Sequence, residues 1–155
     1  MRDVHVVVAA VVERNGRFLF VEERIGDQVV LNQPAGHWEA GETLVEAVRR
    51  ETLEETAWDV EPTALLGLYE YQPPDLPYGF LRVAFRARAV RHHPQRSLDE
   101  GILRAVWLGP DELRRGTPPH RSPMVVRCVE DAVAGVSLPL SAIAHLSSTA
   151  PVRPG

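Results

Sequence analysis

Apolar residues recur along this chain in two rhythms. Val4 to Val12 is almost continuously apolar and β-branched, which predicts a strand buried on both faces. Asn15-Gly16 is a hairpin signal, and Arg17 to Glu22 reads as the returning strand. Val29 to Leu31 predicts a short strand before Pro34. Thr63 to Tyr71 and Phe80 to Val90 predict longer strands, joined by the proline-rich loop Pro73 to Pro77. Ala105 to Leu108 predicts another short strand.

The second rhythm is helical. Leu44, Ala47 and Val48 recur at spacings of three and four, a stripe facing a core. Thr43 with Glu46 three residues on forms a capping box, so this helix starts near Leu44 and ends near Thr56 or Ala57. Pro110 to Arg114 reads as a short helix. Pro123 to Ala134 reads as a long one, with Val125, Val129, Ala132 and Val133 at helical spacing. Periodicity fades after about Pro139. The expectation is therefore one domain over residues 1–140 and a mobile tail over 141–155. Strands that precede and follow a central helix fit a mixed sheet packed between helices, an α/β class.

The apolar stripe of the first helix leads to an anomaly. Continued past Val48, it lands on Glu51, Glu54 and Glu55. These carboxylates span roughly one 100° arc of helix surface. Glutamates on helices usually form a solvated face with surface ion pairs. Here they take the inward direction, where each like-charge pair costs on the order of 3 kcal/mol at an effective dielectric near 20. A divalent cation would relieve that repulsion, and oxygen-only ligands point to a hard metal, Mg2+ or Mn2+. The outer face, with Glu46, Arg49 and Leu53, is an ordinary mixture.

Composition narrows the field. A chain of 155 residues with 45% hydrophobic and 25% charged content suits one soluble domain. A net charge of −4 disfavours bulk nucleic-acid binding. The single cysteine, Cys128, allows no internal disulfide and reads as a small apolar helix residue. No apolar run is long enough to span a membrane, so the expected location is cytoplasmic, as a monomer or a homodimer. All 17 basic residues are arginine, which excludes lysine Schiff-base and P-loop lysine chemistry. Arginine is left as the strong cation for phosphate.

The spacing Gly36, five residues, Glu42, seven residues, Arg50-Glu51, two residues, Glu54-Glu55 resembles the Nudix box. It departs from the family pattern at Thr52, where an aliphatic residue is usual, at Ala57, where glycine is usual, and at Trp58, where a smaller aliphatic is usual. If Ala57 ends the helix in the left-handed conformation, alanine costs roughly 1 kcal/mol over glycine. His5 to Val12, Asn32 to His37, Glu42 to Ala47, Phe80 to Arg82 and Arg121 to Pro123 are further similar to the NudJ-type phosphatase branch. The resemblance implies the Nudix α/β/α sandwich with a mixed β-sheet. It also implies metal-dependent hydrolysis of phosphoanhydrides in nucleoside di- and triphosphates, or of pyrimidine pyrophosphates of thiamine metabolism, with small-molecule substrates.

It implies site residues too. Glu51, Glu54 and Glu55 would hold the metals, with the carbonyl of Gly36 as a further ligand. Arg50 would orient the carboxylates, and Glu42 would brace the loop against the helix. The base is Glu54 or an acid in the loop before Ala105, Asp99 or Glu100; Glu100 lies one residue before the position that many relatives give to an acid. For the substrate, Arg24 and Arg82 are candidates for phosphate, and Trp38, Tyr69, Tyr71 and Phe80 could stack on a ring. Trp58 and Trp107 read as core, and Arg86 and Arg88 as a solvated sheet face. Two other classes compete. One is a catalytically inactive Nudix-fold sensor, which would have no need of an intact acidic trio. The other is an isoprenoid-diphosphate isomerase, which would want a reactive cysteine at the pocket.

Overall fold

The structure, a computed structural model, describes residues 3–147. Among the described residues, seven strands and three α-helices follow the order β1 (Val4–Arg14), β2 (Arg17–Ile25), β3 (Gln28–Asn32), β4 (Ala35–His37), α1 (Leu44–Thr56), β5 (Trp58–Tyr71), β6 (Gly79–His92), β7 (Ile102–Leu108), α2 (Pro110–Arg114) and α3 (Met124–Val133). The sheet path is β3-β2-β1-β6-β5, with β4 paired to β1 and β7 to β2. β1 and β6 are parallel and the other pairs antiparallel, so the sheet is mixed.

Central placement explains why β1 is apolar on both faces. Val8, Ala10 and Val12 join Val83, Phe85, Ala47 and Val48 in a core beneath α1. Val11 and Ala84 join Phe20, Leu66, Val125, Cys128 and Val129 in a second core beneath α3. Successive residues of a strand face opposite ways, so β1 and β6 serve both layers. The result is the expected α/β/α sandwich.

Two departures from the sequence-based expectation have simple causes. β5 begins at Trp58, five residues before the expected Thr63, because bulges between Asp59 and Val60 and between Pro62 and Ala64 carry the pairing past the proline. β4 has no β-branched residue to announce it; it forms because Val7, Val8 and Ala9 of β1 offer it an edge. The expected domain boundary near residue 140 falls within ordered packing. Leu140–Ala142 is a short 3-10 turn, and Leu140 and Ile143 pack on the core beneath α1. The final Pro-Val-Arg-Pro-Gly lies outside the described residues.

α1 is held at both ends. Thr43 accepts the Glu46 N–H at 3.0 Å through Oγ1, as the capping box predicts. Ala57 ends the helix in the left-handed conformation, φ 61°, and donates its N–H to the Leu53 carbonyl. Thr52 is fully buried, and its hydroxyl turns back to the Val48 carbonyl at 2.7 Å. That bond is how the helix accepts a hydroxyl where an aliphatic is usual. Trp58 and Trp107 meet edge to face at the margin of the same core.

Candidate active site

β4 and α1 build the centre together. A side chain at Gly36 would occupy the space taken by the Glu51 carboxylate, so only glycine lets β4 approach α1 there. Arg50 clamps the surroundings. Its Nε and Nη2 donate to the two Glu42 oxygens at 3.0 and 2.7 Å, a bidentate pair. Its Nη1 donates to Glu51 at 2.7 Å and reaches Glu54 at 3.4 Å, and Nη2 also donates to the His37 carbonyl at 3.1 Å. One guanidinium thus ties the loop, β4 and α1 together. Chiefly through the Glu42 bonds, its charged form is strongly favoured. The same bonds hold Glu42 below its ordinary value, against the opposing effect of burial.

The loop between β6 and β7 supplies the next carboxylate. It is strapped to α1 by the His93 N–H on the Ala57 carbonyl at 2.8 Å and the Asp99 N–H on the Glu54 carbonyl at 3.0 Å. Glu51, Glu54 and Asp99 consequently each present an oxygen within 4.8 Å of the others. Burial raises Glu51 above the usual carboxylate range; Arg50 opposes the shift, and Glu54 and Asp99 add to it. Crowded acidic oxygens with only partial compensation fit a hard divalent cation.

Glu55 differs from its neighbours. It is only 9% exposed, and its Oε1 accepts the Ala35 N–H at 2.8 Å. Burial, foremost, pushes it up to about 8; the Ala35 bond opposes this, while Glu51, Glu23 and Asp99 reinforce it. The backbone here also revises the expected role of Gly36. Pro34 and Trp38 bond toward β1, through Ala10 N–H and Val6 carbonyl. Peptide groups alternate in an antiparallel pair, so Gly36, opposite Val8, also faces β1. Ala35 and His37 turn toward α1, where they meet Glu55 and Arg50. The outward carbonyl is therefore that of Ala35, and what Gly36 contributes is its missing side chain.

A cavity of about 290 Å³ adjoins this centre on the other side of β4. Arg82 lies in its wall beside Asn32, with Tyr71, Phe80, Leu76 and Met124 as apolar lining. At its rim Arg121 pairs with Glu23 at 2.9 Å. Carboxylates clustered on a helix, a glycine that makes room for them, and an adjoining cleft are the arrangement the Nudix box implies. The NUDIX domain model matches residues 1–128.

The chain belongs to the Nudix hydrolase family.

Among its relatives, Phosphatase NudJ of Shigella boydii and Phosphatase NudJ of Escherichia coli K12 are each 37% identical over 139 residues, covering 90% of this chain and 90% of theirs. A NUDIX hydrolase structure from Nitrosomonas europaea is 41% identical, with a TM-score of 0.90 over 93% of this chain and 98% of that one. A MutT NUDIX hydrolase structure from Burkholderia pseudomallei, 20% identical, shares the fold at a TM-score of 0.70, covering 83% of this chain and 98% of its own.

In this Nudix hydrolase, the expected site residues divide. Arg50, Glu51 and Glu54 converge at the centre, and Arg82, Tyr71 and Gly36 line the adjoining cavity. Arg24 does not line it. Strand alternation gives the wall position to Glu23 and leaves Arg24 exposed. Trp38 also stands outside, 45% exposed, its indole N–H donated to the Glu42 carbonyl at 2.8 Å; it braces the loop. Glu100 is exposed and outside the carboxylate cluster, where its neighbour Asp99 stands. Arg86 is also not the solvated residue expected, since it donates to the Ala132 and Val136 carbonyls at the end of α3. In the sequence, Asn32, Gln33 and Arg121 stand out only by resemblance to the family, because no periodicity marks residues that line or back a cavity.

Proposed function

We propose that this Nudix hydrolase cleaves phosphoanhydrides in nucleoside di- and triphosphates or related pyrophosphates, including pyrimidine pyrophosphates, with magnesium or manganese. The observation that carries this reading is the convergence of Glu51, Glu54 and Asp99 around one point, with Arg50 anchoring the first two. These three carboxylates would hold the ion, with Glu55 and the Ala35 carbonyl as further oxygen donors beside them. A bound divalent cation would offset the charge of the anhydride and polarise its phosphoryl oxygens.

The protein's own groups do the rest. Arg50 keeps Glu51 and Glu54 aimed at the centre, so the donors need no rearrangement when substrate arrives. Glu54 is the more exposed of the two, at 31% of its side chain against 12% for Glu51, and is the one open to water. It accepts a proton as the water oxygen bonds to phosphorus and the bridging P–O bond breaks, and phosphate leaves. A sensor that binds without cleaving would not require this carboxylate convergence. An isomerase needing a reactive cysteine is disfavoured, because Cys128 is buried on the inner face of α3 and burial raises its thiol.

The test is phosphate release from a panel of nucleotides and pyrophosphate esters, with magnesium, with manganese and with EDTA, on wild type and Glu54→Gln. Metal-dependent release that Glu54→Gln abolishes supports the reading. Binding without release under every condition would establish the sensor instead.

A further inference from the structure

Arg82 is 2% exposed, yet every side-chain partner it has is neutral. Nη1 donates to Gln33 Oε1 at 2.8 Å and contacts Cys128 Sγ at 3.9 Å; Nη2 donates to Asn32 Oδ1 at 2.9 Å. Nε has no partner among the described residues. A buried guanidinium without a carboxylate is costly, and removing the cost would be easy, since Asn32 needs only to be aspartate. The chain keeps an amide there. Gln33 is already committed, its Nε2 donated to the Val125 carbonyl at 2.7 Å. Asn32 spends its oxygen on Arg82, which fixes its amide orientation and leaves its N–H donors without a partner among the described residues. Asn32 and Arg82 both line the cavity.

The sheet register says which part of a substrate meets them. Gly36 stands opposite Val8, and Val8 opposite Val83; residues paired in this way face the same side, here the side of Glu51. Arg82 pairs with Val7 and faces the other side, toward Cys128 of α3. The carboxylate centre and Arg82 are thus on opposite faces of the sheet, joined round the edge strand β4. Phosphates gathered at the carboxylates leave Arg82 to the organic moiety. The apolar Tyr71, Phe80, Leu76 and Met124 around it suit a flat ring rather than a second phosphate.

We propose that this cavity holds the substrate's heterocycle and reads its hydrogen-bond acceptor edge, carbonyl oxygen or unprotonated ring nitrogen, through the Asn32 amide and the Arg82 guanidinium. The inference rests on the hydrolase reading for the placement of the phosphates, but its test does not need turnover. Cytosine offers a carbonyl oxygen and a ring nitrogen side by side, so cytidine, which has no phosphate, is the probe. Binding is measured by calorimetry in EDTA, with inorganic phosphate as the second arm, on wild type, Asn32→Asp and Asn32→Leu. Cytidine should bind wild type and lose roughly tenfold or more in both variants, because each lacks the amide donors. Asn32→Asp should also melt at a higher temperature than wild type, having given Arg82 a counter-charge, whereas Asn32→Leu should not. The preference for cytidine diphosphate over benzyl diphosphate, as a ratio of kcat/KM, should shrink in both variants. Equal cytidine binding in all three proteins would overturn the proposal. So would phosphate, and not cytidine, binding in a manner that Asn32→Asp abolishes. Absence of hydrolysis with any metal would defeat the hydrolase reading alone and leave the EDTA result standing.

Discussion

The carboxylate of Glu51 fills the space where a side chain on Gly36 would stand. Strand β4 and helix α1 are therefore set at a distance that one methyl group would change. Gly36→Ala should push Glu51 aside without unfolding the domain. Displacements near 1 Å cost about 100-fold in rate when they disturb a positioned group. Steady-state kinetics beside a melting curve will check this; a large fall in melting temperature with intact kcat would contradict it.

Arg50 holds Glu42 with two bonds and Glu51 with a third. Lysine keeps the charge but cannot make the fork, and hydrogen bonds to charged groups are worth about 1.5–3 kcal/mol each. Arg50→Lys should lower kcat roughly tenfold to a hundredfold and weaken manganese binding, as titration calorimetry would reveal. Unchanged manganese affinity would mean that the clamp does not order the carboxylates.

Asp99 and Glu100 are neighbours with different surroundings, and only Asp99 joins Glu51 and Glu54. Asp99→Asn should reduce manganese affinity and activity together, whereas Glu100→Gln should leave both near wild type. The opposite ranking would move the site by one residue and disprove the assignment.

Ala57 is a left-handed residue that is only 3% exposed. The strained backbone costs about 1–2 kcal/mol for a side-chain-bearing residue, while the buried methyl contributes about 0.8 kcal/mol. Strain outweighs the methyl, so Ala57→Gly should stabilise the fold by a few tenths to about 1 kcal/mol in urea melts. A loss of stability would show that the methyl contact dominates.

Tyr69 donates its hydroxyl to Asp131 at 2.7 Å, and Arg127 bonds the same carboxylate. Burial favours the neutral acid, but these bonds outweigh it and hold Asp131 below its ordinary value of 3.8. A depressed folded value means that the stabilisation is present above the unfolded value and is lost as pH falls through the folded one. The urea midpoint of wild type should exceed that of Asp131→Asn at about pH 6, and the gap should close on acidification below about pH 4. A gap that is constant with pH would exclude the carboxylate as its cause.

Much of this architecture could be read from residue patterns because it rests on local chemistry. The β-branched run of β1, the Thr43–Glu46 cap and the valines of α3 each declare their element within a few residues. The helical part of the acidic cluster, Glu51 and Glu54, was legible for the same reason, since both lie within one helical turn. What escaped depends on distant pairing. β4 exists only because β1 offers an edge. The choice between Asp99 and Glu100 stayed open because Asp99 reaches α1 only through a backbone bond to Glu54, 45 residues away along the chain. The direction of Arg82 could be guessed from alternation, but its burial required α3, which supplies Cys128 and orders Gln33. Arg24 misled because a strand's parity relative to a cavity cannot be known until its neighbours are placed.

Strand β4 is three residues long, and it separates the carboxylate centre from the cavity of Arg82. A molecule engaged at both ends must bend around that short barrier, which makes β4 a measuring post. Inorganic pyrophosphate carries phosphate alone and has no ring to set beside Arg82. Lengthening or shortening the connection between phosphate and ring should therefore change recognition even when both ends are chemically unaltered.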